Sequence, residues 1–404
     1  MKNTELFSKL LCLEPPYSVD KVVYEEKTQP KNKLEQFGKS VHIYIKVDTS
    51  PNYRPTESRI KDYEQRTWRH LNLFQYPCYL HCIVPKYEDK QTGKVKTLEV
   101  PWAKKGSGFT LLFEEFAMEL VKIHGCVAEV AKQLSIYPQR LWRIIRDYGE
   151  EMSIQDIDMS KVKKIGFDET SRKKGHDYIT CFIDLDTGKL LYVVEGKDAE
   201  TVVEFEQHAT SQGFDKEKVS DISIDMSPAF IAGAEKVFPN AEITFDKFHV
   251  SQLVNKAFDS IRKSFGRKEG GRINKWIFFK PYEQLKKEEQ AKLDELLLKY
   301  PLLDMVYELK NKFKTLWQQT DTLQASAFLS YWADTMRSFK KKVLTTLANS
   351  LDKHHQRIIN VIDSNITNAI LEGFNSKVQT LKRKARGYKK PENLITMVKL
   401  HCQM

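Results

Sequence analysis

The sequence contains no long uninterrupted run of apolar residues. A helix needs about 20 mostly apolar residues to cross a bilayer, so we expect no membrane-spanning segment. Residues 1–13 also lack the apolar stretch followed by small residues that defines a secretory signal peptide. The sequence therefore predicts a cytoplasmic protein that has no contact with membranes.

Cysteine is sparse and scattered. The six cysteines are Cys12, Cys78, Cys82, Cys126, Cys181 and Cys402. Only Cys78 and Cys82 are close in sequence, and their spacing is not the one typical of a paired zinc ligand. Free thiols in a reducing compartment are the simplest interpretation.

The composition is that of a folded protein with a polyanionic partner. Hydrophobic residues make up 41% of the 404 residues and charged residues 29%, which excludes a disordered chain. This length predicts two or three domains. The formal net charge of +11 favours binding to nucleic acid, although charge alone would also suit an acidic membrane surface.

The first 105 residues fall into two segments with different sequence patterns. Residues 1–40 are polar and contain several prolines, which indicates a loosely held lead-in. Residues 41–105 have strand-like patterns, at 41–47 and at 79–85, and predict a small β-rich DNA-binding module.

Residues 106–150 predict a helix-turn-helix. A short helix over 127–134 is followed by a turn and by a second helix, over 139–148, with Pro138 in its first turn. Arg140, Arg143 and Arg146 recur along that helix, as expected of a helix that enters the major groove of DNA. The alternative is an ordinary helical hairpin with a solvated arginine face.

Residues 160–265 predict an α/β domain with the element order β-β-β-α-β-α-β. Asp168 stands where the apolar pattern of the first strand ends, and Asp225 ends the fourth strand. Two neighbouring strands that finish on carboxylates place hard oxygen ligands at one sheet edge, where a divalent cation can bind. An RNase H-like sheet has this order. Isolated acids after strands, however, are commonly solvated or cap helices.

The remainder is predicted to be helical. Residues 266–345 have only helical periodicity and interrupt the α/β pattern. Within residues 346–404, a last helix from about Ser364 to Lys384 contains Glu372 and Asn375. A run of cations without acids follows: Lys377, Lys382, Arg383, Lys384, Arg386, Lys389 and Lys390. Contact with DNA phosphates explains this run better than a solvated helix end does.

Several separate segments, in order, resemble the ISL-three family of bacterial insertion-sequence transposases of the DDE type. The resemblance rests on residues 66–70, 101–103, 106–113, 165–169, 223–230, 245–250 and 368–375, the last with the basic tail that follows it. The likeness extends from about Asp62 onward. One departure is that the early module lacks the paired cysteines that often form a zinc ribbon in this family, so we predict no structural zinc.

The resemblance implies the fold, the site and the partners. The fold would be an RNase H-like α/β catalytic domain interrupted by an all-helical insertion, preceded by the β-rich module and the helix-turn-helix. Asp168, Asp225 and Glu372 would be the catalytic triad and hold two Mg²⁺ ions, with Mn²⁺ as an alternative. Supporting residues near the site would be Glu169, Asp246, His249 and Asn375. The partners would be double-stranded DNA, both terminal repeats and target, and further copies of the chain in a homodimer or higher oligomer on the bacterial nucleoid.

Two other functions compete with a transposase. A non-catalytic DNA-binding regulator would keep the helix-turn-helix and the basic helix but would not need all three acids. A nuclease that cuts without joining would share the acids, and only a strand-transfer assay separates it from a transposase.

Overall fold

The structure is a computed structural model, and it describes residues 3–26, 38–152, 157–173, 177–268, 273–364 and 369–402. The chain divides into two compact units, Met1–Ser153 and Ile154–Met404. Each unit has a five-stranded sheet and a buried apolar cluster of its own. In the described part of the chain, no helix is both long enough and apolar enough to span a membrane.

The first unit begins with a mixed sheet. Its elements are α1 (Asn3–Leu10), β1 (Tyr17–Glu26), β2 (Lys39–Val47), β3 (Ser58–Leu73), β4 (Tyr76–Asp89) and β5 (Val95–Thr97). The strand order is β1-β2-β4-β3, with β5 also paired to β4. The segment expected to be a loose lead-in instead contributes α1 and the edge strand β1, because β1 pairs along its length with β2 and buries Val19 in the core.

Three helices complete this unit and confirm the predicted helix-turn-helix. They are α2 (Leu111–His124), α3 (Val127–Gln133) and α4 (Pro138–Met152). The Thr110 side chain caps α2 by accepting a hydrogen bond from the Phe113 N–H. Gly125 ends α2 in the left-handed conformation, at φ 67°, which allows the tight turn into α3. The α2–α4 helices bury residues such as Val121, Val130 and Ile145 against one another.

The second unit is built on a mixed α/β sheet. Its elements are β6 (Lys164–Lys173), β7 (Asp177–Asp184), β8 (Leu190–Glu195), α5 (Ala199–Thr210), β9 (Asp221–Ile224), α6 (Pro228–Val237) and β10 (Glu242–Phe245). This is the order of elements that the sequence predicted. The strand order is β10-β9-β6-β7-β8. The β6–β7–β8 pairs are antiparallel, whereas β9 runs parallel to β6 and to β10.

Asp168 lies within β6, and the prediction that the strand ends there is wrong. The polar residues after it stay in the sheet because β6 continues to pair with β7 as far as Lys173 and Asp177. Asp225, in contrast, directly follows β9 as predicted. Since Gly166 is paired with Ser223 in parallel register, two further residues bring Asp168 and Asp225 to the same level of the sheet.

Helices account for the described structure after β10. They are α7 (Lys247–Lys268), α8 (Lys275–Phe279), α9 (Lys287–Lys299), α10 (Pro301–Phe313), α11 (Thr322–Ser338), α12 (Lys342–Lys353), α13 (His355–Asp363), α14 (Ala369–Lys384) and α15 (Pro391–Cys402). The helix predicted from Ser364 thus corresponds to α14, and residues 365–368 lie outside the described ones. It is not the last helix, because Pro391 starts α15, whose Leu394 and Val398 are fully buried.

The buried Lys310 of α10 is expected to make stability depend on pH. Its Nζ donates to the Phe278 carbonyl at 2.6 Å, and burial lowers the pKa of Lys310 to about 8. The unfolded chain keeps this proton up to about pH 10.5, so the free energy of unfolding rises as the folded lysine loses its proton. We expect a gain on the order of 2 kcal/mol between about pH 7 and pH 9.5.

Urea unfolding of the wild type and of Lys310→Met at both pH values measures this gain. The variant has no group to titrate at this position, so its stability should lack that part of the rise. Equal pH dependence of the two proteins would show that Lys310 is not the cause.

Candidate active site

Three carboxylates stand at the edge of the second sheet where β9 and β10 end. Asp168 Oδ1 accepts a hydrogen bond from the Glu169 N–H at 2.8 Å. Asp225 Oδ1 accepts from the Ser227 N–H at 2.8 Å. Asp246 Oδ1 accepts from the Phe248 N–H at 2.7 Å. Each carboxylate is held by nearby backbone; a short turn after Asp225 leads into α6, and Asp246 directly precedes α7.

Burial is the main electrostatic feature of these acids. It raises the pKa of Asp168, of Asp225 and of the adjacent Glu169. Repulsion adds to burial, because the charge of Asp225 raises the pKa of both Asp168 and Glu169. Like charges held together out of water favour a bound cation, which would stabilise all the carboxylates in their ionised form.

His249 faces the same acids from α7. Its Nε2 lies 3.8 Å from Asp246 Oδ2. A positive charge on this ring would lower the pKa of both Asp168 and Asp225. The structure therefore brings Asp246 and His249 to the edge that holds the two aspartates, where the sequence predicted them.

The helix α14 packs lengthwise on β6. A side-chain carbon added at Gly166 would lie 2.9 Å from Leu371 Cδ1, so these two residues set the distance between strand and helix. Further along, Asn375 Nδ2 donates to Asp168 Oδ2 at 2.5 Å, and the Thr170 hydroxyl donates to Asn375 Oδ1 at 3.2 Å. Asn375 is thus a direct partner of the central aspartate.

Glu372 lies one helical turn before Asn375 and on the same side of α14. Its side chain is exposed. Among the described residues, it makes no hydrogen bond or ion pair with Asp168 or Asp225. The helix of the third predicted acid thus reaches the site through Asn375, while the Glu372 side chain is exposed.

The carboxylate oxygens at this edge are the type of ligand that binds a hard divalent cation. Within the described ranges, no three His, Cys, Asp or Glu side chains lie close enough together to hold a metal ion. The oxygens of Asp168 and Asp225 are nevertheless the ligand type that Mg²⁺ prefers. The two aspartates therefore fit a divalent cation by the type of their oxygen atoms.

The arginines predicted to contact DNA line one surface of α4. Arg140, Arg143 and Arg146 are all exposed. The Arg140 guanidinium lies 4.2 Å from the centre of the Phe109 ring, and Arg143 Nη2 donates to the Gly106 carbonyl at 3.4 Å. Two of the three are therefore in contact with the 106–109 loop, whereas Arg146 lies further along the helix.

The comparison with known families decides what the chain is. A family model described as a transposase, that of the DDE domain of family ISL3, matches residues 165–398, more than half of the chain. The chain belongs to this transposase family. A second model, described as the helix-turn-helix domain of transposase family ISL3, matches residues 98–149, which include α2 and α3 and most of α4.

Individual transposases are similar to most of the chain. The transposase for insertion sequence element IS1001 of Bordetella parapertussis is 24% identical over 339 residues, which cover 81% of this chain and 82% of that protein. The transposase for insertion sequence element IS1557 of Mycobacterium tuberculosis is 21% identical over an alignment of 443 residues, covering 99% and 96%. The alternative of a catalytically inactive, transposase-derived DNA-binding regulator is therefore not favoured.

The basic residues at the end of α14 in this transposase differ in their contacts. Lys382 Nζ donates to the Ser171 carbonyl of β6 and, at 3.1 Å, to Gln379 Oε1, so this lysine ties α14 to the sheet. Arg383, Lys384 and Arg386 are exposed. Of the predicted DNA contacts Lys382, Arg383, Lys384 and Arg386, Lys382 is thus the one that is partly buried, and the role of all four in binding DNA stays a prediction.

Sequence reasoning missed one charged residue at this edge of the transposase. Lys197 follows β8, and its Nζ lies 3.5 Å from Glu169 Oε1. Its charge lowers the pKa of both Glu169 and Asp225. The sequence shows only that Lys197 comes just after a strand. Its place near the acids becomes clear once β6 and β8 are known to run in the same direction, each antiparallel to β7.

Proposed function

We propose that this transposase binds the terminal inverted repeats of an insertion sequence and catalyses metal-dependent DNA cleavage and strand transfer with Asp168, Asp225 and Glu372. The observation that carries the proposal is that Asp168 and Asp225 share one sheet edge while α14, which contains Glu372, is docked on β6. Three antiparallel strands followed by two parallel ones support an RNase H-like domain. The helices between β10 and α14 fit a helical insertion within it.

Asp168, Asp225 and Glu372 would hold two Mg²⁺ ions, or Mn²⁺ in their place. When bound, such a pair of ions lowers the pKa of the attacking water and stabilises charge on the leaving oxygen of the phosphodiester. The backbone N–H groups of Glu169 and Ser227 each fix one oxygen of an aspartate, and the other oxygen of Asp168 accepts from Asn375. In the reaction, water first frees a 3′-OH at the element end, and this 3′-OH then attacks target DNA.

Asn375 has two roles in this scheme. In the structure its side-chain amide donates a hydrogen bond to Asp168 Oδ2, so it would hold the aspartate in place before metal and DNA bind. Because Glu372 and Asn375 are three residues apart on α14, a small rotation or shift of this helix would withdraw the amide and advance the carboxylate. His249 and Asp246 would orient the groups around the acids, and Glu169 would add negative charge beneath them.

DNA recognition is assigned to α4 and to the exposed end of α14. The three α4 arginines would contact one duplex, the terminal repeat, in its major groove. Arg383, Lys384 and Arg386 would neutralise phosphates near the cleavage site. A homodimer or higher oligomer would allow two element ends to be cut together.

The test is a reaction of the purified protein with DNA that contains the two ends flanking its own gene. With Mg²⁺ or Mn²⁺ we expect nicks at the element ends and covalent joining of the freed 3′ ends to a target plasmid, and with EDTA neither product. Nicking without joining would favour the nuclease alternative. Binding without any nicking, under all of these metals, would contradict the catalytic proposal.

Substitution of Arg146 should weaken binding to the terminal repeat. Loss of one phosphate contact reduces the slope of log K against log salt by about one, and loss of a base contact costs about 1–3 kcal/mol. We therefore expect Arg146→Ala to bind the repeat at least roughly fivefold more weakly. Fluorescence anisotropy at several salt concentrations measures both quantities.

The matched control is Lys9→Ala, which removes an exposed cation from α1 of the same unit, outside the predicted DNA-binding modules. Its affinity and salt slope should equal those of the wild type. If Arg146→Ala also behaves as the wild type, α4 does not present this residue to DNA.

A further inference from the structure

Lys197 lies at the carboxyl end of β8, on the sheet edge that holds the acids. β6 and β8 run in the same direction, because both are antiparallel to β7. Glu169 and Val194 are both paired with Thr180 of β7, so Lys197 lies slightly further along the strand direction than Glu169. The Lys197 Nζ is 3.5 Å from Glu169 Oε1 and 3.9 Å from the centre of the Tyr178 ring. Its side chain keeps 41% of its surface exposed to solvent.

The lysine and α14 lie on opposite faces of this sheet. Gly166 and Asp168 contact α14 through Leu371 and Asn375. Successive residues of a strand alternate between faces, so Phe167 and Glu169 point to the other side. Phe167 accordingly packs against Phe230 of α6, with the ring centres 5.2 Å apart.

The catalytic edge is therefore flanked by positive charge on both sides. On one side is the basic end of α14, with Arg383 and Lys384 exposed. On the other side is Lys197, held next to Glu169. A DNA strand that crosses the edge at Asp168 would pass from one to the other.

A purely structural ion pair does not explain Lys197 well. The 3.5 Å separation from Glu169 is longer than a charge-assisted hydrogen bond, which is about 2.7–2.9 Å. Partly exposed pairs of this kind contribute little to stability. An ammonium group has three donors, so Lys197 can bind a phosphate oxygen while it stays near Glu169.

We propose that Lys197 binds a phosphate of the DNA strand next to the scissile one and so positions that strand over Asp168 and Asp225. The proposal rests on the proposed function, because it assumes that DNA is cut at this edge. The negative charges of Asp168, Glu169, Asp225 and Asp246 repel a DNA phosphate. The positive charge of Lys197 offsets part of that repulsion. Lys197 is thus a positioning residue for the substrate, on the face opposite to α14.

The test is ethylation interference with a DNA end in the absence of divalent metal, so that binding is read without cleavage. For the wild type we expect ethylation of a phosphate adjacent to the cleavage site to impair binding. For Lys197→Gln that position should lose its effect, whereas Lys197→Arg should retain it. The matched control is Lys218→Gln, which removes a lysine paired at 3.6 Å with Asp215 before β9, at the opposite end of the sheet.

Cleavage kinetics add a second measurement. With Mg²⁺, Lys197→Gln should raise KM for the DNA end at least roughly tenfold, with Lys197→Arg and Lys218→Gln near the wild type. An interference pattern that is unchanged in Lys197→Gln, or that has no position near the cleavage site in the wild type, overturns the proposal. If the wild type cleaves and joins DNA in either of these cases, the proposed function stands and only the role of Lys197 is wrong. A wild type that cuts no DNA contradicts both.

Discussion

Asp225→Asn should reduce DNA cleavage at least roughly 1000-fold and leave binding to the terminal repeat unchanged. The substitution keeps the size of the side chain and the oxygen that accepts from the Ser227 N–H. It removes the negative charge needed to hold a divalent cation beside Asp168. Because α4 lies in the other unit, repeat binding does not depend on this carboxylate.

The measurement is the single-turnover rate of nicking at saturating DNA, together with the affinity for the repeat. The control is Asp221→Asn, which makes the same chemical change at the first residue of β9, at the opposite end of the same strand. That variant should cleave at the wild-type rate. Nicking and strand transfer by Asp225→Asn within tenfold of the wild type would remove Asp225 from the catalytic group.

Much of the second unit was predictable because its signals are local. Apolar strands of a few residues separated by turns give the order of β6 to β10. Asp225 could be placed because Ser227 and Pro228 mark the start of α6 immediately after it. The same local signals gave the helix-turn-helix, where Gly125 and Pro138 bound the helices.

The remaining features depend on pairing between distant segments. The polar end of β6 has no strand-like pattern of its own and is a strand only because β7 pairs with it. The contact of Asn375 with Asp168 joins residues far apart in sequence, and it depends on how α14 is rotated about its axis. No periodicity within α14 reveals that rotation. The family resemblance gave Glu372 its place beside the aspartates, which stays a prediction, whereas the contact of Asn375 with Asp168 is visible only in the structure.

The helix α14 approaches the sheet closely at Gly166. The position of an added side-chain carbon there is 2.6 Å from Leu185 Cδ2 and 2.9 Å from Leu371 Cδ1, closer than real contacts allow. A side chain at this position would therefore have to displace the ends of the Leu185 and Leu371 side chains, whereas the backbone angle of Gly166 is ordinary. This close approach is what lets Asn375 reach Asp168.

Gly166→Val should consequently displace α14 and impair catalysis more than stability alone explains. Overpacking typically costs about 1–3 kcal/mol. A displacement of about 1 Å in a catalytic group can reduce the rate roughly 100-fold, and here it would affect Glu372 and Asn375 together. Urea unfolding and the single-turnover nicking rate measure the two effects, with Gly373→Ala as the control, since an added carbon there has no neighbour within 4 Å.

A second substitution tests whether Leu371 is the residue that is displaced. Leu371→Ala alone removes a buried side chain and should cost about 2–5 kcal/mol. In combination with Gly166→Val it makes room for the new methyl groups, so the double variant should be less destabilised than the sum of the single ones, by roughly 1 kcal/mol or more. It should also recover part of the nicking rate. Strictly additive losses would mean that the strand and the helix do not meet at these two residues, and the position assigned to Glu372 beside the aspartates would lose its support.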